Sequence, residues 1–107
     1  MNPRETMAAV AELARERDWE ENGPQELYLL TLFSVREEAR HRLHTAIRAL
    51  RHDLDHVEDM LKRPSPILNT LGELQQRPAA VEAAVGEFAA SDKALSEYLK
   101  AFPAVEG

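Results

Sequence analysis

Apolar residues recur along most of this chain at intervals of three and four, the spacing of an amphipathic α-helix, and no window shows the alternation of a half-buried strand. Asn2-Pro3, followed by Glu5, predicts the capped start of a first helix that ends near Arg17. Pro24 predicts the start of a second helix, which meets no helix-breaking residue until Pro64. We therefore expect an all-α protein.

Prolines also divide the second half of the chain. Ser65-Pro66 predicts the cap of a short third helix, and Pro78 predicts the start of a fourth helix, which Pro103 stops. Ser91 interrupts the apolar face of that last helix. We expect a break there, with Ser91 capping the continuation; the alternative is a polar notch that lines a pocket.

The second helix, from about 24 to 62, is the most informative element. Its apolar stripe advances in steps of four, three and four residues, an eleven-residue repeat that runs nearly straight along a helix. At about 1.5 Å per residue this helix would be about 58 Å long. We expect an elongated bundle of four helices built on it. The stripe consists of Tyr28, Leu32, Val35, Ala39, Leu43, Ala46, Leu50, Leu54, Val57 and Leu61.

The two halves of this helix differ in how much cover the other helices offer. Residues 27–35 are apolar on nearly every side, which predicts burial between the first and last helices. The distal half, from Leu43 to Leu61, has fewer helices to cover it. We expect a second copy there, paired antiparallel in a symmetric dimer; the alternative is a monomer in which the third and fourth helices suffice.

The length and composition of the chain limit its domain organisation and the classes of function it can have. The 107 residues predict a single domain over 1–102, followed by a flexible tail over 103–107. The chain contains no cysteine, which excludes disulfides, thiolate metal sites and cysteine nucleophiles. Its longest apolar stretch is far shorter than a membrane span, and no signal-peptide pattern is present, so we expect a cytoplasmic location. Abundant arginine and alanine suggest a bacterial or phage source.

Basic residues collect within 40–52, a stretch without acids that is followed at once by the acidic stretch 53–59. Three interpretations follow. The stretch is a solvated face with ion pairs along the helix, or the basic stretch of one subunit meets the acidic stretch of an antiparallel partner. In the third, it binds an anionic small molecule, a nucleotide or a nucleic acid, because arginine suits phosphate recognition. The candidate residues are Arg40, His44, Arg48 and Arg51.

The four histidines all fall on the second helix. His52 and His56 are one turn apart and form a candidate pair of metal ligands, although a surface pair of this kind also takes up zinc or nickel from a buffer. Thr45 adjoins His44, but consecutive helical residues do not face each other, so they form no nucleophile–base pair. We expect neither a cofactor nor an enzymatic activity.

The loop between the first two helices holds a candidate partner site, formed by Asp18, Trp19, Glu20 and Glu21. An aromatic side chain flanked by acids in a loop is typical of a binding hot spot. The alternative is that Trp19 folds back and caps the core at the junction of the two helices.

The net charge is −6, with 19 acidic and 13 basic residues, which does not favour a nucleic acid as partner. The leading hypothesis is therefore a small acidic helical module that binds another macromolecule, a protein, as a regulator, inhibitor or adaptor, and that works as a homodimer. One alternative is a sensor that binds an anionic ligand through the Arg/His stripe. A further alternative is a structural oligomer or scaffold.

Overall fold

A computed structural model describes residues 2–64, 66 and 68–105, with the backbone alone at 68 and 69. Over these residues the chain forms three α-helices and no strand: α1 (Pro3–Glu16), α2 (Pro24–Met60) and α3 (Leu68–Ala101). The predicted all-α class is confirmed. The rod measures 69 × 23 × 21 Å, with a radius of gyration of 20.2 Å. A compact domain of this length has a radius of gyration of about 13 Å, so the predicted elongation is confirmed as well.

The first helix begins with the predicted cap. The Asn2 side-chain oxygen accepts a hydrogen bond from the Glu5 backbone N–H at 2.9 Å, and the Asn2 amide donates to the Glu5 carboxylate at 3.2 Å. Pro3 occupies the first helical position, where its missing N–H costs nothing. This reciprocal pair satisfies one of the backbone donors that the start of a helix leaves free.

The long helices α2 and α3 form an antiparallel hairpin. Three ion pairs fix its register, because the two residue numbers in each pair have nearly the same sum. The pairs are Arg36 with Asp92 at 2.8 Å, Arg42 with Glu87 at 3.3 Å, and Arg77 with Asp53 at 2.6 Å. The α1 helix packs on α2 at the end of the rod opposite the turn of the hairpin.

The prediction of four helices was wrong, because α3 continues through Pro78. A proline in a helix interior removes one backbone hydrogen bond and crowds the carbonyl one turn earlier, at a cost of about 3 kcal/mol. That cost does not forbid a helix whose whole length packs against a neighbour. Arg77, directly before the proline, pairs with Asp53 of α2, and Ala84 beyond it is buried.

The break expected at Ser91 is also absent from α3. The Ser91 hydroxyl donates to the Glu87 carbonyl at 2.9 Å instead of capping a new helix. Asp92 does not line a notch but pairs with Arg36 of α2. The predicted cap at Ser65 lies outside the described residues.

The core lies at the end of the rod where all three helices meet. Val10 of α1, Leu29 of α2 and Leu95 of α3 form its buried centre, and Leu29 is 0% exposed. The predicted burial between the first and last helices is therefore present at Leu29, but it does not extend to the whole stretch 27–35, because Leu27 and Val35 are each 50% exposed. Partly buried side chains surround this centre: Leu13, Trp19, Leu30, Leu32, Phe33, Tyr98 and Leu99.

The chain after α3 lies against the end of α1. The Val105 backbone N–H donates to the Glu16 carbonyl at 2.8 Å, and the Arg17 guanidinium donates to the Phe102 carbonyl. These contacts hold the chain after α3 against the C-terminal end of α1. The limits of the domain and the flexibility of the tail over 103–107 stay predictions, and residues 106 and 107 lie outside the described residues.

Candidate functional site

One face of α2 is buried at one end of the rod and open at the other. Leu54 follows Leu29 by about seven helical turns, so both side chains point in nearly the same direction. Leu29 is 0% exposed because it packs between Val10 of α1 and Leu95 of α3, whereas Leu54 is 49% exposed. The distal half of this face therefore continues the surface that α1 covers in the proximal half.

The third helix contributes to the same open side. Arg36 pairs with Asp92 along one side of the hairpin. Leu54 follows Arg36 by five helical turns, so its side chain lies on that same side. Val85 precedes Asp92 by about two turns and is 48% exposed, and Leu61 is 68% exposed. We call this surface the uncovered flank. It consists of Ile47, Leu54 and Leu61 of α2 and Val85 of α3.

The uncovered flank starts where α1 begins. An open groove of about 640 Å³ lies at that junction, and Pro3 and Met7 of α1 line it together with Ser34 and His41 of α2. Met7 is 61% exposed. The groove thus marks the point along α2, near residue 41, at which the cover supplied by α1 ends.

The predicted basic stripe lies on an exposed side of α2. Arg40, His44, Arg48 and Arg51 are all exposed. Arg40 donates to the Glu37 carboxylate at 3.1 Å. Arg48 and Arg51, by contrast, make no hydrogen bond or ion pair with any residue that the structure describes. The stripe therefore has a neutralised end near α1 and an unneutralised end beside the uncovered flank.

Glu37 is the acid with the most basic surroundings in this region. Its partial burial alone would raise the pKa of the carboxyl, but the hydrogen bond and charge of Arg40 bring that pKa below its usual value of 4.5. Arg36 adds a second contact at 3.9 Å. Glu37 is therefore ionised at neutral pH and holds Arg40 beside the start of α1.

His52 and His56 lie parallel on the exposed surface of α2. Their ring centroids are 6.5 Å apart and the rings are inclined by 3°. Each histidine is two residues away from Leu54, which is about half a helical turn. Both histidines therefore project from a different side of α2 than Leu54 does. Among the described residues no group of three or more metal-ligating side chains comes together. The pair remains a two-ligand candidate for a metal.

The loop residues Asp18, Glu20 and Glu21 are exposed, but the indole of Trp19 is turned inward. Its ring centroid lies 5.8 Å from that of Tyr98 and 6.0 Å from that of Phe102, and the Arg17 guanidinium lies 5.9 Å from it. These contacts give Trp19 the position of a cap over the core. The prediction that this loop binds a partner is untested by them.

The loop contains two residues with positive φ and a glycine in a tight position. Asp18 and Asn22 have φ values of 56° and 58°, which short polar side chains tolerate better than most. A Cβ at Gly23 would lie 3.0 Å from the Glu20 carbonyl oxygen. The backbone fold of the loop thus fixes where Trp19 enters the core.

Tyr98 stands at the centre of the aromatic cluster. Its ring meets Tyr28 at a centroid distance of 4.8 Å and Phe102 at 5.1 Å, and its hydroxyl donates to the Gln25 carbonyl. Burial, with a smaller effect of Tyr28, raises the pKa of Tyr98 above its usual value of 10.0. The hydroxyl is therefore neutral over the physiological range and serves as a structural hydrogen-bond donor.

Sequence reasoning missed the ion pairs between helices. One of its three interpretations placed these charges in ion pairs between residues four apart along the helix, and Arg42 with Glu38 at 3.8 Å and Arg63 with Asp59 at 3.2 Å are such pairs. Arg36, Arg42 and Asp53 also reach across to α3. The hairpin register could have revealed these pairs, but two predicted breaks in the last helix concealed that register.

No protein-family model, curated protein or solved structure matches this chain. Within the described residues no helix combines the length and the apolar character that crossing a membrane requires. The cytoplasmic location stays a prediction.

Proposed function

We propose that this protein is a non-enzymatic helical interaction module that works as a homodimer, and that the uncovered flank is its binding surface. The observation that carries the proposal is the contrast between Leu29 and Leu54 on one face of α2. The same apolar face is fully buried at Leu29, where α1 covers it, and half exposed at Leu54, beyond the end of α1.

Burial of exposed apolar side chains stabilises an association, because removing apolar surface from water contributes about 25 cal/mol of free energy per Å². Single exposed apolar residues are common on proteins, but a row of them along one side of a helical hairpin is typical of an interface. Leu54, Leu61 and Val85 form such a row at the open side of the hairpin. This supports an interaction surface rather than a solvated face.

The test compares two variants with matched exposure. Leu54→Glu places a charge in the uncovered flank, whereas Val35→Glu places the same charge on the opposite side of the hairpin, at a residue that is 50% exposed. We expect the wild type and Val35→Glu to be dimers and Leu54→Glu to be a monomer, by sedimentation velocity and native mass spectrometry. A wild type that stays monomeric at every concentration, or a dimeric Leu54→Glu, would contradict the proposal.

A second candidate function rests on Arg48 and Arg51, which are exposed and without a partner among the described residues. Together with Arg40 and His44 they would bind an anionic ligand. Isothermal titration with ATP tests this candidate. Binding by the wild type, lost in Arg48→Glu/Arg51→Glu while the helical content is kept, would favour the ligand sensor. Assemblies larger than a dimer would favour the scaffold alternative.

A further inference from the structure

We propose that the second copy docks antiparallel on the uncovered flank, about a two-fold axis that passes within one helical turn of Leu54. Arg51 of each copy then faces the partner's Glu58, and the start of α1 limits how far the two rods overlap. This inference rests on the proposed function, since it specifies the partner and the geometry of the same surface.

The charges beside Leu54 are self-complementary. Arg51 lies just before Leu54 and Glu58 just after it, about two turns apart on the same exposed side of α2. Neither makes a hydrogen bond or an ion pair within the described part of the chain. An antiparallel two-fold axis between them exchanges their positions, so that two identical Arg–Glu pairs form at the rim. A parallel arrangement would place Arg51 against Arg51 instead.

The same symmetry matches the apolar row. Ile47 and Leu61 lie about two turns on either side of Leu54. An axis near Leu54 therefore places Ile47 opposite the partner's Leu61, and Leu54 opposite the partner's Leu54. Such an isologous contact uses one surface twice, as most homodimers do. The two hairpins would form a four-helix bundle at the centre of the dimer.

The α1 helix limits the overlap. It occupies the face of α2 up to the groove that Pro3 and His41 line. The partner's hairpin would take the position along the rod that α1 leaves open, and its tip would end before Pro3. The uncovered flank extends along most of α2 between this groove and Met60. A two-fold axis near Leu54, the middle of the flank, therefore brings nearly the whole flank into the contact.

A second copy is favoured over an unrelated protein by this match of charge and spacing. The stretch 40–52 has no acid and the stretch 53–59 is mostly acidic, so one α2 helix offers both halves of a complementary pair. An unrelated partner would need to carry the reversed pattern itself.

The decisive experiment is a charge exchange. We would measure the dimer dissociation constant by sedimentation equilibrium for the wild type, Arg51→Glu, Glu58→Arg and the double variant. Each single reversal places like charges at two symmetric positions, and we expect each to weaken the dimer about tenfold. The double variant restores both pairs and should return to within a few-fold of the wild type.

Lys93→Glu is the matched control, because this lysine is exposed on α3 and its ion pair, with Glu97, lies along its own helix. It should leave the dissociation constant unchanged. Single reversals without effect, or a double variant without recovery, would overturn the proposed register while the homodimer itself stands. A wild type without self-association would overturn the proposed function as well. Far-UV circular dichroism confirms that each variant is folded.

X-ray scattering separates this register from full overlap. At about 1.5 Å per residue the tip of the hairpin lies about 14 Å beyond the axis, which leaves about 55 Å of the 69 Å rod on the other side. The proposed dimer would therefore be about 110 Å long, at the same rise per residue. A dimer no longer than one rod would mean that the helices overlap completely, and would contradict the limit set by α1.

Discussion

The two ends of the rod are built from one continuous helix, yet they differ in what covers it. At the proximal end three helices enclose Leu29, and at the distal end two helices leave Leu54 half exposed. The apolar face of α2 points the same way at both places. Helical periodicity therefore specifies a face, and only the tertiary arrangement specifies whether that face is core or surface.

The charges follow the same division. Near α1, Arg36 and Arg40 pair with acids of α2 and α3. Further along, Arg48, Arg51 and Glu58 have no ion pair with any described residue. The proximal end thus encloses Leu29 and pairs Arg36 and Arg40 within one chain, whereas the distal end leaves Leu54, Arg48, Arg51 and Glu58 exposed.

The largest expected effect is at the proximal end of the rod, where three helices bury the apolar face of α2. Leu29→Ala removes a side chain that is 0% exposed and leaves a cavity where the three helices meet, so it should lower the free energy of unfolding by about 2–5 kcal/mol. Urea unfolding followed by circular dichroism measures this loss.

Leu27→Ala is the control, because Leu27 lies on the same helix and is 50% exposed. It should lower the free energy of unfolding by about 1 kcal/mol, in proportion to the smaller buried surface. Equal losses in the two variants would show that Leu29 is not the centre of the core.

The next prediction concerns α3 at the distal end of the rod. Pro78→Ala restores the backbone hydrogen bond that the proline removes from the middle of α3, so we expect the free energy of unfolding to rise by about 1–3 kcal/mol. Chemical denaturation at several protein concentrations separates this gain from any change in self-association.

Pro24→Ala serves as the matched substitution, since Pro24 is the first residue of α2 and replaces no helical hydrogen bond. It should change the free energy of unfolding by no more than about 0.5 kcal/mol. If Pro78→Ala instead destabilised the protein, α3 would break at residue 78 in solution, as the sequence pattern predicted.

The smallest effect concerns the boundary between the two ends. The pKa of Glu37 lies below 4.5 in the folded protein, so the unfolded chain binds more protons near that pH. The stabilisation that the ionised Glu37 provides is complete above about pH 5 and is lost as the pH falls through the folded pKa. The stability difference between the wild type and Glu37→Gln should therefore shrink as the pH is lowered from 7 to 3.

The neighbouring Glu38 provides the comparison, because its side chain is 74% exposed. At pH 7, Glu38→Gln should lower the free energy of unfolding by less than Glu37→Gln does, because solvent screens an exposed charge. A difference for Glu37→Gln that stays constant down to pH 3 would mean that the contact with Arg40 contributes no stability.

Much of the fold could be predicted from local signals. The Asn2–Glu5 cap, the loop before Pro24 and the length of α2 depend on a few neighbouring residues, and all three are present. The continuity of α3 could not be predicted in this way. Pro78 and Ser91 are breakers by local preference, and the contacts of α3 along α2 outweigh that preference.

The candidate site could likewise be predicted from the sequence only in part. The sequence indicated that the distal half of α2 lacks cover, because too few helices remained for it. It did not indicate that Val85 joins Leu54 on one side, since that depends on the register set by Arg36 and Asp92. The inward position of Trp19 also depends on Tyr98 and Phe102, which follow about eighty residues later.

The elongated shape has a consequence for how this protein should be handled. A radius of gyration of 20.2 Å is the value expected for a compact domain of about 340 residues. A gel-filtration column calibrated with globular standards will therefore overstate the mass of the single chain, and an early elution would be read as an oligomer. Mass determined by light scattering or in the gas phase does not depend on shape, and it should decide any question of stoichiometry.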